Sequence, residues 1–110
     1  MKFIIFLSFF ILFTVNAFAY EVVKACAIYQ NTGKSYKIEI QIYQGSELNE
    51  RTNTLNYLSF AYYGVIFWSN ANATIIKFNN YFGSLSSFGN TGQDQRGYPW
   101  MVRKGHNFCI

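Results

Sequence analysis

Alternation of apolar and polar positions dominates the chain from residue 20 onward. Tyr36 to Tyr43 is the clearest case: Ile38, Ile40 and Ile42 fall on one side, Lys37, Glu39 and Gln41 on the other. A period of two with one apolar and one polar face predicts a strand with one buried and one wet surface. Tyr20 to Tyr29 reads the same way, with Val22, Cys26 and Ile28 on one face and Val23, Ala25, Ala27 and Tyr29 on the other. Between these runs, Asn31-Thr32-Gly33 predicts a hairpin turn in which the glycine supplies a positive φ.

The pattern loosens further along. Gly45 to Thr54 is polar, and Ser46 is placed to cap a single helical turn. Leu55 to Trp68 is strand-like again, with Gly64 marking a bulge or tight turn. Ser69 to Ala73 reads as a small polar turn and Thr74 to Phe78 as a short strand ending at Asn79-Asn80. Gly83 to Gly97, rich in Gly, Ser, Asn and Gln, reads either as one long loop or as two short strands and a turn. Long structureless loops are uncommon in small domains, which favours some pairing. Tyr98 to Arg103 is a strand whose start Pro99 confines to an edge or unbonded position. After the turn Gly105-His106-Asn107, Phe108 to Ile110 is expected to close the sheet and bring Cys109 beside the first strand. No segment sustains a 3.6-residue period. The expected fold is all-β, a small antiparallel barrel or sandwich of about 6–8 strands.

The first twenty residues follow a different logic. Lys2 precedes a run from Phe3 to Val15 broken only by Ser8 and Thr14, and Ala17-Phe18-Ala19 fits the small-x-small rule for signal peptidase. Residues 1–19 are expected to be a cleavable signal helix and residues 20–110 a single β-domain, secreted or periplasmic. The apolar run falls short of the ~20 residues of a comfortable membrane span, so no stable membrane anchor is expected after cleavage.

Composition sharpens this division. The 110 residues are 51% hydrophobic, 21% aromatic and 13% charged, which excludes a disordered chain and a two-lobed enzyme. Half of the twelve Phe (Phe3, Phe6, Phe9, Phe10, Phe13 and Phe18) lie in the signal segment, whereas all nine Tyr and both Trp lie beyond it. The aromatic side chains of the mature domain are therefore Tyr-led and suited to a core or to a wet surface. The net charge of +4 is mild and spread along the chain, with Arg103-Lys104 as the one adjacent basic pair. No nucleic-acid partner is expected from so scattered a charge.

Cys26 and Cys109 lie near the two ends of the mature chain. In an exported protein two cysteines most simply form one disulfide, and closing so long a loop contributes about 4–4.5 kcal/mol in the chain-entropy account. A Cys–Cys metal site would lack its second pair of ligands, and a Cys109 thiol with His106 would be a nucleophile of unusual arrangement. No metal or cofactor is expected.

Catalytic chemistry is scarce, with one His and one Asp in the chain. A small secreted nuclease could combine Glu39 or Glu50, Arg103 and His106 as base, phosphate clamp and acid, but no motif joins them, and no catalytic residue is assigned. Asp94, within Gly92 to Gly97, lacks the further carboxylates of a calcium loop and is expected to close a turn. Asn72-Ala73-Thr74 matches the N-glycosylation sequon.

Tyr57, Tyr62, Tyr63, Phe67 and Trp68 form the densest aromatic stretch, in which alternation puts some rings outside. Tyr57, Tyr62 and Tyr63, with Ser69 and Asn70, are the candidate binding surface; Trp68 and Trp100 are expected in the core. Ser59 to Ile75, with Phe67-Trp68-Ser69 and then Ala73-Thr74-Ile75, resembles the central segment of the periplasmic C-type lysozyme inhibitors. That resemblance implies a small exported β-barrel, a disulfide joining first and last strands as Cys26 and Cys109 would, and a lysozyme-binding role. Where that family has Lys-Gly after Trp-Ser, this chain has Asn70-Ala71, and the family's Ser-x-Gly stretch is not reproduced around Ser59 to Ala61. The expected function is a non-enzymatic exported binding protein, with a protein or glycan partner in the envelope or outside the cell. It could act as an inhibitor of a cell-wall hydrolase. The alternatives are a cationic secreted toxin or antimicrobial protein, which would lack the usual amphipathic basic helix, and a carbohydrate-binding module stacking sugars on Tyr62 or Tyr63.

Overall fold

The structure, a computed structural model, describes residues 21–110. The expected signal segment and Tyr20 lie outside the described residues. The elements run β1 (Glu21–Tyr29), β2 (Lys34–Gln44), α1 (Gly45–Thr52), β3 (Tyr62–Ser69), β4 (Asn72–Phe78), β5 (Asn90–Gln93) and β6 (Pro99–Lys104). Each strand pairs antiparallel with the next, and β6 pairs with β1. The result is a closed six-stranded barrel, which leaves no sheet edge open.

The alternation read from the sequence fixes which face turns inward. Ile40 and Ile42 of β2 enter the lumen with Ala25 and Ala27 of β1, Ile66 of β3, Ile76 and Phe78 of β4, and Trp100 and Val102 of β6. Ile38 and Tyr36 continue this row higher on β2. Each fully buried Ile contributes about 1.5–3 kcal/mol of transfer free energy. Six strands enclose a narrow space, so β1 supplies two alanines where other strands supply large side chains. Gly64 is required by the same crowding: a Cβ there would run into the Ile40 side chain and lie 2.9 Å from the Phe78 ring.

A second apolar layer lies outside the barrel. Tyr43, Tyr63 and Val65, on the outward faces of β2 and β3, are covered by Leu48 of α1, with Tyr57 and Ala61 packed against them. Asn49 ties the loop after α1 in place, accepting from Tyr57 N at 2.9 Å and donating to Tyr57 O at 2.9 Å.

Cys26 and Cys109 form the disulfide, with Cα atoms 5.5 Å apart across 83 residues of sequence. Such a bridge persists in a non-reducing compartment. Cys26 alternates with Ala25 and Ala27, so the bridge lies on the outside of β1 and holds the tail 105–110 there.

The structure corrects several expectations. Leu55 to Ala61 is not strand; Leu55, Leu58 and Phe60 are exposed, so the apolar pattern there reflects no pairing. Gly64 sits in regular strand, and the register shift of β3 falls between Phe67 and Ser69. The helical segment spans two turns, with Gln44 at the N-cap and no side-chain cap, rather than one turn capped by Ser46. Phe108 to Ile110 adds no strand: the pairing of β6 with β1 closes the barrel. Between Asn79 and Gly97 only β5 is strand, one of the two offered.

Candidate functional site

In an antiparallel meander alternate connections fall at the same end. The β1–β2, β3–β4 and β5–β6 hairpins therefore share one end of the barrel, here the hairpin end. Residues 45–61, residues 79–89 and the tail 105–110 share the other, the connector end.

Each hairpin is tied down by its own polar groups. Gly33, at φ +76°, donates its N–H to Tyr29 O at 2.8 Å. Asp94 closes the β5–β6 turn, as its place in the sequence suggested. Its Oδ1 accepts from Arg96 N at 2.9 Å and Tyr98 N at 3.0 Å, and its Oδ2 accepts from Trp100 Nε1 at 3.0 Å. Burial acts to raise the Asp94 pKa, but the bonds from Trp100, Tyr98 and Arg96, with the Arg96 charge, outweigh it and hold the carboxyl below its ordinary value. Gln95 extends the short β4–β5 ladder with its side chain. Its Oε1 accepts from Ile75 N and its Nε2 donates to Ala73 O, both at 3.0 Å.

An aromatic array runs across this end. Tyr29 lies 5.0 Å from Trp100 and 6.1 Å from Tyr98; Tyr36 lies 6.0 Å from Trp100 and 5.2 Å from Trp68. Lys34 stands over Tyr36 and Arg96 over Tyr98 at cation–π distances of 5.3 and 4.8 Å. Trp100 is buried beneath the array, but Trp68 is 39% exposed, so only one of the two tryptophans expected in the core is there. The β3 irregularity at Phe67–Ser69 places Trp68 at the barrel mouth, a common effect of an extra residue in one strand. Its indole N–H donates to Thr74 Oγ1 at 2.8 Å and its ring meets Tyr36 edge-on, so an exposed side chain is held in one orientation. Beside it a depression of about 390 Å³ is lined by Asn72, Ala73, Thr74, Asp94, Gln95 and Arg96. A fixed indole flanked by amides and a guanidinium is equipped to bind and orient a partner.

Of the sequence-derived candidates, Ser69 and Asn70 lie exposed in the β3–β4 hairpin next to Trp68. Tyr57, Tyr62 and Tyr63 lie toward the opposite end of the barrel and do not form a common platform. Tyr63 is buried, meets Tyr57 edge-on at 5.1 Å, and its hydroxyl accepts from Leu58 N. Tyr62 turns to the inner core and lies 4.8 Å from the Tyr81 ring. The outer face of β3 that the sequence left open is covered by α1 and the chain that follows it. Trp68 was expected in the core and Arg96 was not among the site candidates; the turn residues after Trp68, Ser-Asn-Ala-Asn, were the available sign that it stands at a strand end.

The nuclease constellation is not assembled. His106 donates its Nε2–H to Ile38 O at 2.9 Å, tying the tail to β2. Among the described residues no hydrogen bond or ion pair joins it to Glu39, Glu50 or Arg103. Among the described residues no group of three or more His, Cys, Asp or Glu is placed to hold a metal, and no helix is long and apolar enough to cross a membrane. Comparison with protein-family models, with curated proteins and with solved structures finds no match for this chain.

Proposed function

We propose that the chain is an exported, secreted or periplasmic binding protein that engages a macromolecular partner through its hairpin end, with a cell-wall hydrolase as the partner class. The observation that carries this reading is Trp68. Its indole is fixed by Thr74 and Tyr36 and is still 39% exposed, between the Ser69–Asn70 turn and Arg96. Preordered Trp and Arg side chains lose little entropy on binding and are the residue types that dominate interface energetics. The segment resembling the lysozyme inhibitors includes this same hairpin, and the oxidised Cys26–Cys109 bridge agrees with export. Without Lys2 of the signal segment, eight Lys and Arg against five Asp and Glu leave the exported domain at +3, which favours a partner whose docking face is acidic.

The test is lysis of bacterial cell walls by a C-type lysozyme in the presence of micromolar exported protein, beside the Trp68→Ala variant. Inhibition by the parent, weakened about thirtyfold or more by Trp68→Ala, supports the reading. Unchanged lysis removes the lysozyme-inhibitor reading, and equal inhibition by the variant removes the hairpin end as its surface.

A further inference from the structure

Every strand of the barrel has a neighbour on each side, yet one pair of neighbours parts before its end. β2 runs from Lys34 to Gln44 but pairs with β3 only through Gln41–Gln44, opposite Val65–Tyr62. Among the described residues, Lys34 to Ile40 pair on the β1 side alone, and β3 beyond Val65 pairs with β4 alone. The barrel wall is therefore split between β2 and β3, and the split opens toward the hairpin end. Exposure follows it: Ile40 and Ile42 are fully buried, whereas Ile38 in the same row is half-buried and Phe67 is 59% exposed.

The neighbouring bonds fix which backbone groups face the split. Gly105 N–H donates to Lys24 O and Gln30 N–H to Pro99 O, both on the β6 side of β1. Backbone groups alternate sides along a strand, so Ala25 and Ala27 turn theirs to β2, where they meet Ile38 and Tyr36. Lys37 and Glu39, one residue out of phase, turn their N–H and C=O groups into the split, as Gln41 and Tyr43 turn theirs to Val65 and Tyr63. A comparable gap lies between β4 and β5, which pair only through Lys77 and Phe78, and there the Gln95 carboxamide stands in for the missing strand at Ile75 N and Ala73 O. Among the described residues no side-chain hydrogen bond does this for Lys37 or Glu39.

We propose that the free edge of β2, from Ser35 to Glu39, is a strand-addition site for an extended peptide segment of the partner protein. Strand addition here rests on the hairpin end being the binding surface, not on the partner being a cell-wall hydrolase. The chemistry of the edge chooses its occupant: N–H and C=O groups repeating every second residue are matched by another extended backbone. Phe67 to Ser69 wall the far side of the split, so a single extended segment reaches the edge and the broad face of a folded protein does not. Side chains set the sequence rule. Tyr36 and Ile38 turn inward, and the Trp68 ring meets Tyr36 at 5.2 Å, which floors the split with apolar surface. Lys37 and Glu39 stand exposed on the outer row. An added strand of alternating apolar and polar residues lays the first kind against Tyr36, Ile38 and Trp68 and the second beside the two charges.

The probe is a linear heptapeptide selected on phage against the exported protein, then synthesised and followed by calorimetry and by amide hydrogen exchange of the protein. In the free protein the Lys37 and Glu39 amides should exchange freely while Gln41 and Tyr43 are protected; bound peptide should slow Lys37 and Glu39 about tenfold or more. N-methylation of the peptide should weaken binding about tenfold at residues of one parity and leave it unchanged at the other, because only alternate N–H groups face β2. Lys37→Pro removes an N–H that faces the split and none from the β1–β2 ladder, and should weaken binding as much; the methylation series decides the matter if that variant does not fold. Selection of no peptide, N-methylation effects equal at both parities, or protection of Lys37 and Glu39 in the free monomer or through a dimer overturns the proposal. Peptide binding at this edge with unchanged cell-wall lysis upholds strand addition and removes the lysozyme reading. Lysozyme inhibition that leaves Lys37 and Glu39 exchanging freely keeps the lysozyme reading and removes strand addition.

Discussion

At the hairpin end the strands turn within residues 30–33, 70–71 and 94–98, and the turn backbone finds its partners locally: Gly33 N to Tyr29 O, Arg96 N and Tyr98 N to the Asp94 carboxylate. At the connector end the chain takes residues 45–61, residues 79–89 and the tail to do the same work, and it is held by contacts between positions far apart in sequence. Glu21 accepts from Tyr81 Oη at 2.6 Å and Leu85 N at 3.1 Å, His106 reaches Ile38 O, and Cys109 is bonded to Cys26. Local closure costs little loop entropy, whereas long connections need ties that reach across the domain. The hairpin end is thus rigid because of its turns, and the connector end because of a few cross-links.

Removing the strongest cross-link tests this contrast most severely. The Cys26→Ser/Cys109→Ser variant is expected to lose about 4–4.5 kcal/mol, since the bridge closes most of the described chain. That corresponds to a fall in the unfolding midpoint of roughly 20–30 °C for a domain of this size. Calorimetry of the variant, and of the parent with reductant, reads it directly. A loss below about 1 kcal/mol means that the noncovalent ties suffice at the connector end.

The hairpin end has its own single point of failure. Asp94→Ala removes the acceptor of three hydrogen bonds, one from the buried Trp100 indole, and is expected to cost about 3 kcal/mol. The same carboxylate sets an acid limit. Its pKa is depressed in the fold from 3.8, so the stability it contributes is complete above that unfolded value and is lost as pH falls through the lower folded one. Urea denaturation across this acid range should show the parent losing stability with a slope that Asp94→Ala lacks. Equal slopes would place the acid sensitivity elsewhere.

The same contrast explains what the sequence discloses. The hairpin end was readable because its signals are local: Asn31-Thr32-Gly33, strict alternation through Ile38, Ile40 and Ile42, and an Asp followed two and four residues later by the N–H groups it accepts. The antiparallel all-β fold and the disulfide followed from that alternation and from two cysteines near the ends of the mature chain, whereas the choice of barrel over sandwich rests on the β6–β1 pairing. The connector end resisted, because Leu55 to Ala61 has strand composition but no partner strand, and because α1 is held by Leu48 against Tyr43 and Tyr63 and by Asn53 at its C-terminus, with no side-chain N-cap to announce it. The tyrosine surface failed for that reason: alternation gives the face of a strand but not what later packs on it. Trp68 was placed in the core on its apolar area, while a one-residue irregularity, invisible in the pattern, sets it at the rim.

The smallest effect expected comes from a carboxylate at the connector end that behaves oppositely to Asp94. Glu47 lies in the first turn of α1, half-buried, and its Oε1 is shielded from solvent without a hydrogen-bond partner. Burial raises its pKa above 4.5; Arg51, one turn on, works against this and Glu50 works with it. The sign is therefore reversed: the folded state holds the proton more tightly than the unfolded chain, so ionised Glu47 costs stability at neutral pH, and that cost disappears as the group is protonated. Glu47→Gln keeps the shape and removes the charge. It also gives up a favourable interaction with the helix N-terminus, which limits the gain to about 0.5 kcal/mol. Urea denaturation at pH 7 should show the variant slightly more stable than the parent, with the difference vanishing in acid where Glu47 is neutral in both states. A variant less stable at pH 7 would mean that the helix terminus and Arg51 outweigh burial, and that the two ends of the barrel treat their carboxylates alike.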